Sequence, residues 1–203
     1  MANNGAMEQI REFVGSARIF TKAVHTVLEE KLLAEVLGSQ ITLSQMQLLE
    51  LVAFTDARTI SEIAAYLNIS NAAASKAVDK LVRRELLTRT GGAVDRRAIE
   101  VSLTDLGASQ LQAFDNARTE RLKNLFHDFC PEEMRAAADI LDRISATVVS
   151  LTAKPEQLCL QCGIHFRERC LVRQLLRCSC SYQQQKTRRQ RLAVAPPTIK
   201  EES

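Results

Sequence analysis

With 203 residues, 46% of them hydrophobic and 25% charged, the chain is long enough for one or two domains with a real core and has the composition of a soluble protein. No apolar run approaches membrane-spanning length, and the start, MANNGAMEQIREF, has no signal-peptide core, which points to a cytoplasmic protein and excludes a membrane role. The net charge of +3 hides an asymmetry: residues 1–153 carry 17 Lys/Arg against 20 Asp/Glu and residues 154–203 carry 10 against 4, while residues 76–97 alone carry seven positive groups against three negative, a footprint expected of phosphate contact.

From about Ala6 to Leu37 the periodicity predicts a helix. Ile10, Phe13, Val14, Ala17, Phe20, Val24, Val27 and Leu28 form a broad apolar stripe along it. Such a helix can pack on its own domain alone or also on a second subunit. The second reading is favoured, because apolar area of that size marks an interface. Gly38-Ser39 ends the helix. Thr42-x-x-Gln45 is a capping box opening a helix through Phe54 that buries Leu43, Met46, Leu49 and Val52. After a short loop, Thr59-x-x-Glu62 is a second capping box, and Ile60, Ile63, Ala64 and Leu67 fall on one helical face. Asn68 and Ile69 interrupt that pattern, and Ser70 is an N-cap for the next helix.

That next helix turns Ala74, Ala77, Val78 and Leu81 inward and leaves Asn71, Ser75, Lys76, Asp79, Lys80 and Arg83 outside. Two short helices joined by a tight turn form a helix-turn-helix. The small run Ala72-Ala73-Ala74-Ser75 lets the second helix sit deep in a groove about 12 Å wide, so that neighbouring polar groups reach base edges. Leu87 to Thr90 can form a strand, Gly91-Gly92 permits a turn, and Ala98 to Leu103 alternates with Ile99, Val101 and Leu103 on one side. The result is a hairpin with Asp95, Arg96 and Arg97 near its tip. Thr104 caps a long helix to about Phe129. Cys130-Pro131-Glu132-Glu133 starts another, with Met134, Ala138, Leu141, Ile144 and Val148 at helical spacing.

The segments SNAAASKAVDKL, RRELLTRT and DRRAIEVSLTDLG together resemble the MarR family of bacterial transcriptional regulators over roughly the first three-quarters of the chain. In that family a recognition helix is followed by a wing carrying Asp-x-Arg and a Leu-Thr-x-x-Gly helix start. Those positions here are Asp95-Arg96-Arg97 and Leu103-Thr104-Asp105-Leu106-Gly107. The expected fold is mainly α with a small β-hairpin wing: a winged helix-turn-helix at about 42–103, within a DNA-binding and dimerisation domain at 1–153. The N- and C-terminal helices form the dimer platform. The resemblance also implies a pocket for a small-molecule effector between wing domain and platform.

The expected function is regulation of transcription, as a repressor, by a homodimer on near-palindromic double-stranded DNA. Ser70, Asn71, Ser75 and Lys76 are candidates for base edges. Lys80, Arg83 and Arg84 are candidates for phosphates, and Arg96 and Arg97 for a narrow minor groove. Asp95 is expected to orient a wing arginine. A protein-interaction or metal-binding adaptor is the alternative. An enzyme is not expected: there is no nucleophile–base motif or phosphate-cradling Gly loop, and only His25, His127 and His165 supply imidazoles.

Residues 154–181 are rich in cysteine: Cys159, Cys162, Cys170, Cys178 and Cys180, spaced C-x2-C-x7-C-x7-C-x-C. Free thiols, a thiol switch and a metal site compete, and the metal site is favoured. Cys159, Cys162, Cys170 and one of Cys178 or Cys180 would supply four thiolates, with His165 a possible replacement for one. The spacing departs from paired zinc-ribbon units, which favours an iron–sulfur cluster over structural zinc. Cys130, at a helix cap, stands apart as structural. Residues 182–203, with Lys186, Arg188, Arg189 and Arg191, read as a disordered basic tail.

Overall fold

A computed structural model describes residues 2–54, 59–91, 99–151 and 170–176. The chain opens on one continuous helical rod: α1 (Ala2–Ala23), a π-helical segment (Val24–Lys31) and α2 (Leu32–Leu37). The rod was expected, but not its wide turns. A π-helix bonds i to i+5 and so takes up an extra residue, which offsets everything beyond it by about 100°. In an unbroken α-helix Leu28 and Leu32 would stand directly in line with Ile10 and Val14, each about five full turns earlier. The wide segment turns the end of the rod out of that line, so the side that carries the buried Leu32 and Leu33 is rotated away from the distal stripe. The distal part of the rod is bare: Ile10, Val14 and Phe20 are exposed, whereas Leu28, Leu32 and Leu33 are buried. Gly38, at φ 67°, ends the rod in a conformation that favours glycine.

Local capping then places the winged unit. Gln45 N–H donates to Thr42 Oγ1 and Thr42 N–H to Gln45 Oε1, opening α3 (Leu43–Phe54). This helix was expected to bury one face. It buries nearly all round: Met46, Leu48, Leu49 and Leu51 are all inside, and so is Glu50, while Leu43 and Val52 are half-buried. The reason is its position, since α4, α5, α6 and β2 all pack against it. Thr59 and Glu62 form the predicted capping box of α4 (Ile60–Leu67). Asn68, left-handed at φ 53°, closes that helix, and Ser70 Oγ accepts from Ala73 N–H at 3.2 Å to start α5 (Asn71–Val82).

Strands β1 (Leu87–Gly91) and β2 (Ile99–Leu103) pair antiparallel, from Leu87 opposite Leu103 to Gly91 opposite Ile99. Thr104 joins the hairpin to α6 (Asp105–Leu125). Its hydroxyl accepts from Gly107 N–H at 3.0 Å and donates to the Glu85 carbonyl, and its own N–H donates to the Leu86 carbonyl. Helix and chain cross so closely here that a Cβ on Gly107 would lie 2.1 Å from the Leu86 carbonyl oxygen. The Leu-Thr-x-x-Gly motif is therefore a backbone crossing. Gly107→Ala is expected to cost roughly 3 kcal/mol, the upper end of overpacking, because backbone cannot yield as a side chain would. Urea denaturation measures it, and a loss below about 1 kcal/mol would contradict the crossing.

Helix α6 stops at Leu125, not near Phe129. Phe126 and Phe129 instead pack ring to ring at 5.9 Å within a turn that delivers Cys130 in the extended conformation required before proline. Cys130 N–H donates to Glu133 Oε2 at 2.9 Å, opening α7 (Pro131–Val149). A short helix, α8 (Leu171–Leu176), follows Cys170 and lies against α7. No described helix is long and apolar enough to cross a membrane.

Candidate nucleic-acid interface

Helix α5 is anchored by Ala74, Val78 and Leu81, all buried, with Ala77 half-buried beside them. On the far side Asn71, Ala72, Ala73, Lys76, Lys80 and Arg83 are exposed. The methyl-sized side chains at 72 and 73 keep the start of this face low, and the cations stand beyond them. Ser70 is also exposed, and its hydroxyl accepts the cap hydrogen bond from Ala73 N–H while keeping its own O–H to donate.

Two predicted contact residues are placed differently from Lys76, Lys80 and Arg83. Arg84 turns back toward α3, donating to the Gln40 carbonyl and, at 3.1 Å, to Gln45 Oε1. Its guanidinium braces the start of α3. Ser75 is half-buried and accepts from Arg89 Nη2 at 3.5 Å. Arg89, on β1, was not singled out by the sequence; it also pairs with Asp79 of α5 at 2.8 Å. The wing tip, with Asp95, Arg96 and Arg97, lies outside the described residues, as do Cys159, Cys162, Cys178, Cys180 and His165. Cys170 is half-buried. Among the described residues, no three or more His, Cys, Asp or Glu are grouped to hold a metal ion.

Behind the reading face, α6 is pinned to the rest by charge. Arg118 Nη1 reaches Glu50 at 2.9 Å and Nη2 reaches Asp115 at 2.6 Å, while its guanidinium carbon lies 5.4 Å from the Phe114 ring centroid. One helical turn on, Arg121 pairs with Glu35 of α2 at 2.7 Å. Burial pushes the Glu50 carboxyl above its ordinary pKa, and the Arg118 guanidinium pulls it only part of the way back. For Arg118, burial opposes the charge, but the hydrogen bond to Asp115 and the nearby Glu50 carboxylate outweigh it and hold its pKa up. A lone Glu in the apolar run LSQMQLLELVAF was the available signal for this network. Its partner, 68 positions away, was not legible.

Comparison with known proteins places this geometry. Residues 39–98 match the model of the MarR family. The HTH-type transcriptional repressor MdtR of Bacillus subtilis (strain 168) is 23% identical over 139 residues, 68% of this chain and 90% of MdtR. The crystal structure of the MarR family transcription regulator SP03579 superposes with a TM-score of 0.61 at 20% identity, covering 75% of this chain and all of the other. Streptococcus pneumoniae FabT, solved in complex with DNA, gives 0.57 at 19% identity, covering 72% and 99%. At these identities the solved structures establish the fold: a mostly helical winged helix with a two-stranded hairpin, as the sequence predicted.

Proposed function

We infer that this chain is a MarR-type transcriptional regulator that binds double-stranded DNA as a homodimer in the cytoplasm and acts as a repressor on a near-palindromic operator. The observation that carries this reading is the outer face of α5, where Lys76, Lys80 and Arg83 stand exposed around small alanines, beside a hairpin. Small residues permit deep entry into the major groove, and the cations neutralise the flanking phosphates. The match at residues 39–98 supports the reading, as do a relative named as a repressor and a structural neighbour solved with DNA. The bare apolar stripes of α1 and α7 support dimerisation, and a two-fold axis would set half-sites about one DNA turn apart. A small-molecule effector would act between the winged unit and the platform helices.

Footprinting on genomic fragments tests the reading. The expected result is a protected near-palindrome, with Lys76→Ala and Arg97→Ala each weakening operator binding by roughly 10-fold at unchanged melting temperature. Absence of any protected site at micromolar protein would overturn it. The proposal extends to the cysteine segment on its spacing alone: Cys159, Cys162, Cys170 and Cys178 or Cys180 as thiolate ligands of an iron–sulfur cluster, with zinc the alternative. Such a cluster would add redox or iron sensing. Protein purified without oxygen should then contain iron and acid-labile sulfide; a colourless protein with one zinc per chain would end the cluster idea.

A further inference from the structure

The hairpin register puts a charged residue in an apolar row. Side chains two apart on a strand share a face, and directly paired residues share it across strands. Leu87 and Arg89 therefore lie on the same face as Leu103 and Val101. Leu87 and Val101 are fully buried, so the residue between them in this row should be apolar. It is Arg89, with a side chain only 29% exposed. Its stem lies on the core-facing side, and its guanidinium is taken up by α5, at 2.8 Å from Asp79 Oδ1 and 3.5 Å from Ser75 Oγ. These two acceptors are four residues apart, one turn on a single side of the recognition helix. The Arg89 Nε is buried with no hydrogen-bond partner among the described residues, a desolvation cost accepted for this placement.

We propose that Arg89 is a positioning residue that fixes the angle between the recognition helix and the wing, and so sets operator specificity without touching a base. This rests on the DNA-binding reading above. The hairpin is rooted at Leu87 and Leu103, and strands this short can rock about their base. A single guanidinium nitrogen, Nη2, that reaches Asp79 and Ser75 on successive turns of α5 removes that freedom and fixes the tilt of the strands against the helix. Base-edge hydrogen bonds need a defined approach, whereas phosphate attraction tolerates small rotations.

The experiment compares the wild type with Arg89→Met, Arg89→Lys and Asp79→Asn in the full-length dimer. Affinities are measured for an operator selected from a randomised duplex pool and for a scrambled duplex, over a salt series, with melting temperatures alongside. The positioning role predicts that Arg89→Met and Asp79→Asn lower the operator-to-scrambled ratio by roughly 10-fold, with scrambled-duplex affinity and salt slope unchanged. Arg89→Lys, which keeps the charge and loses the rigid planar guanidinium, should fall between them and the wild type. Should Arg89→Met fail to fold, the other two variants carry the test. Equal losses on both duplexes with a salt slope shallower by about 0.9 would make Arg89 a phosphate contact and overturn the proposal, as would an unchanged ratio. Failure of the wild type to discriminate any duplex would overturn the DNA-binding reading itself.

Discussion

Arg118→Met is expected to destabilise the fold by about 3–5 kcal/mol near neutral pH, the range for breaking a buried ion pair from one side. Glu50 is 3% exposed in the middle of α3, and the guanidinium 2.9 Å away is what makes its charge tolerable there. Removing Arg118 leaves a carboxylate with neither water nor counter-charge, and the half-buried stem of methionine keeps the packing so that the charge is what is tested. Acidity decides the size of the loss. Burial already raises the folded-state pKa of Glu50 above its ordinary value of 4.5, and loss of Arg118 raises it further. A group with a raised folded-state pKa contributes stability that is present below its unfolded pKa and lost as pH rises through the folded one.

The deficit of Arg118→Met should therefore be small in mild acid and grow toward neutral and alkaline pH. Urea denaturation at several pH values checks this, and a deficit independent of pH would show that Glu50 is not its source. Adding Glu50→Gln to the variant removes the stranded charge and should restore most of the stability near neutral pH. The pair also joins α3, inside the winged unit, to α6, the helix that leads toward the platform. Its loss should loosen the reading head relative to whatever α7 holds.

Ile144→Glu combined with Val148→Glu is expected to yield a folded monomer whose operator affinity falls at least about 100-fold, the loss that accompanies bivalent binding becoming monovalent. Helix α7 has two faces. Asp142 and Ala146 are buried, whereas Ile140, Ile144 and Val148 line the opposite side in the open, Val148 being 59% exposed. Apolar residues at i, i+4 and i+8 on an otherwise polar helix are unstable facing water. In the proposed dimer, the exposed Ile10, Val14 and Phe20 on α1 would supply the apolar surface of the second copy. Two buried glutamates would oppose that contact while leaving the winged unit untouched. Sedimentation equilibrium with circular dichroism distinguishes the outcomes. A wild type that sediments as a monomer, or a double variant that remains dimeric, would remove these stripes from the assembly.

Local signals were legible wherever cause and effect lie within one helical turn. Thr42 with Gln45, Thr59 with Glu62, Ser70, Thr104 and the Pro131–Glu133 start all form the caps their residue types dictate, because a cap closes over three residues and needs nothing else. The period-2 pattern at 99–103 likewise fixed a strand whose register follows from which face is apolar. The inward row of α5 was legible for the same reason, and with it the outward cations. The sequence by itself thus determined the order of the elements, the helix-turn-helix and its hairpin, and the side of α5 that faces away from the core.

Only the tertiary structure decided what those side chains do next. Arg84 turns back to Gln40 and Gln45, Arg89 grips Asp79 and Ser75, Arg118 crosses to Glu50, and Gly107 passes under the Leu86 carbonyl. Each depends on how separate elements meet, and an arginine on a helix surface has the same local pattern whether its fork reaches solvent, a phosphate or a buried carboxylate. The π-helical offset in the N-terminal rod belongs with them. It rotates the core-facing Leu32 and Leu33 away from the line of the exposed Ile10 and Val14, and no single turn of the chain signals it.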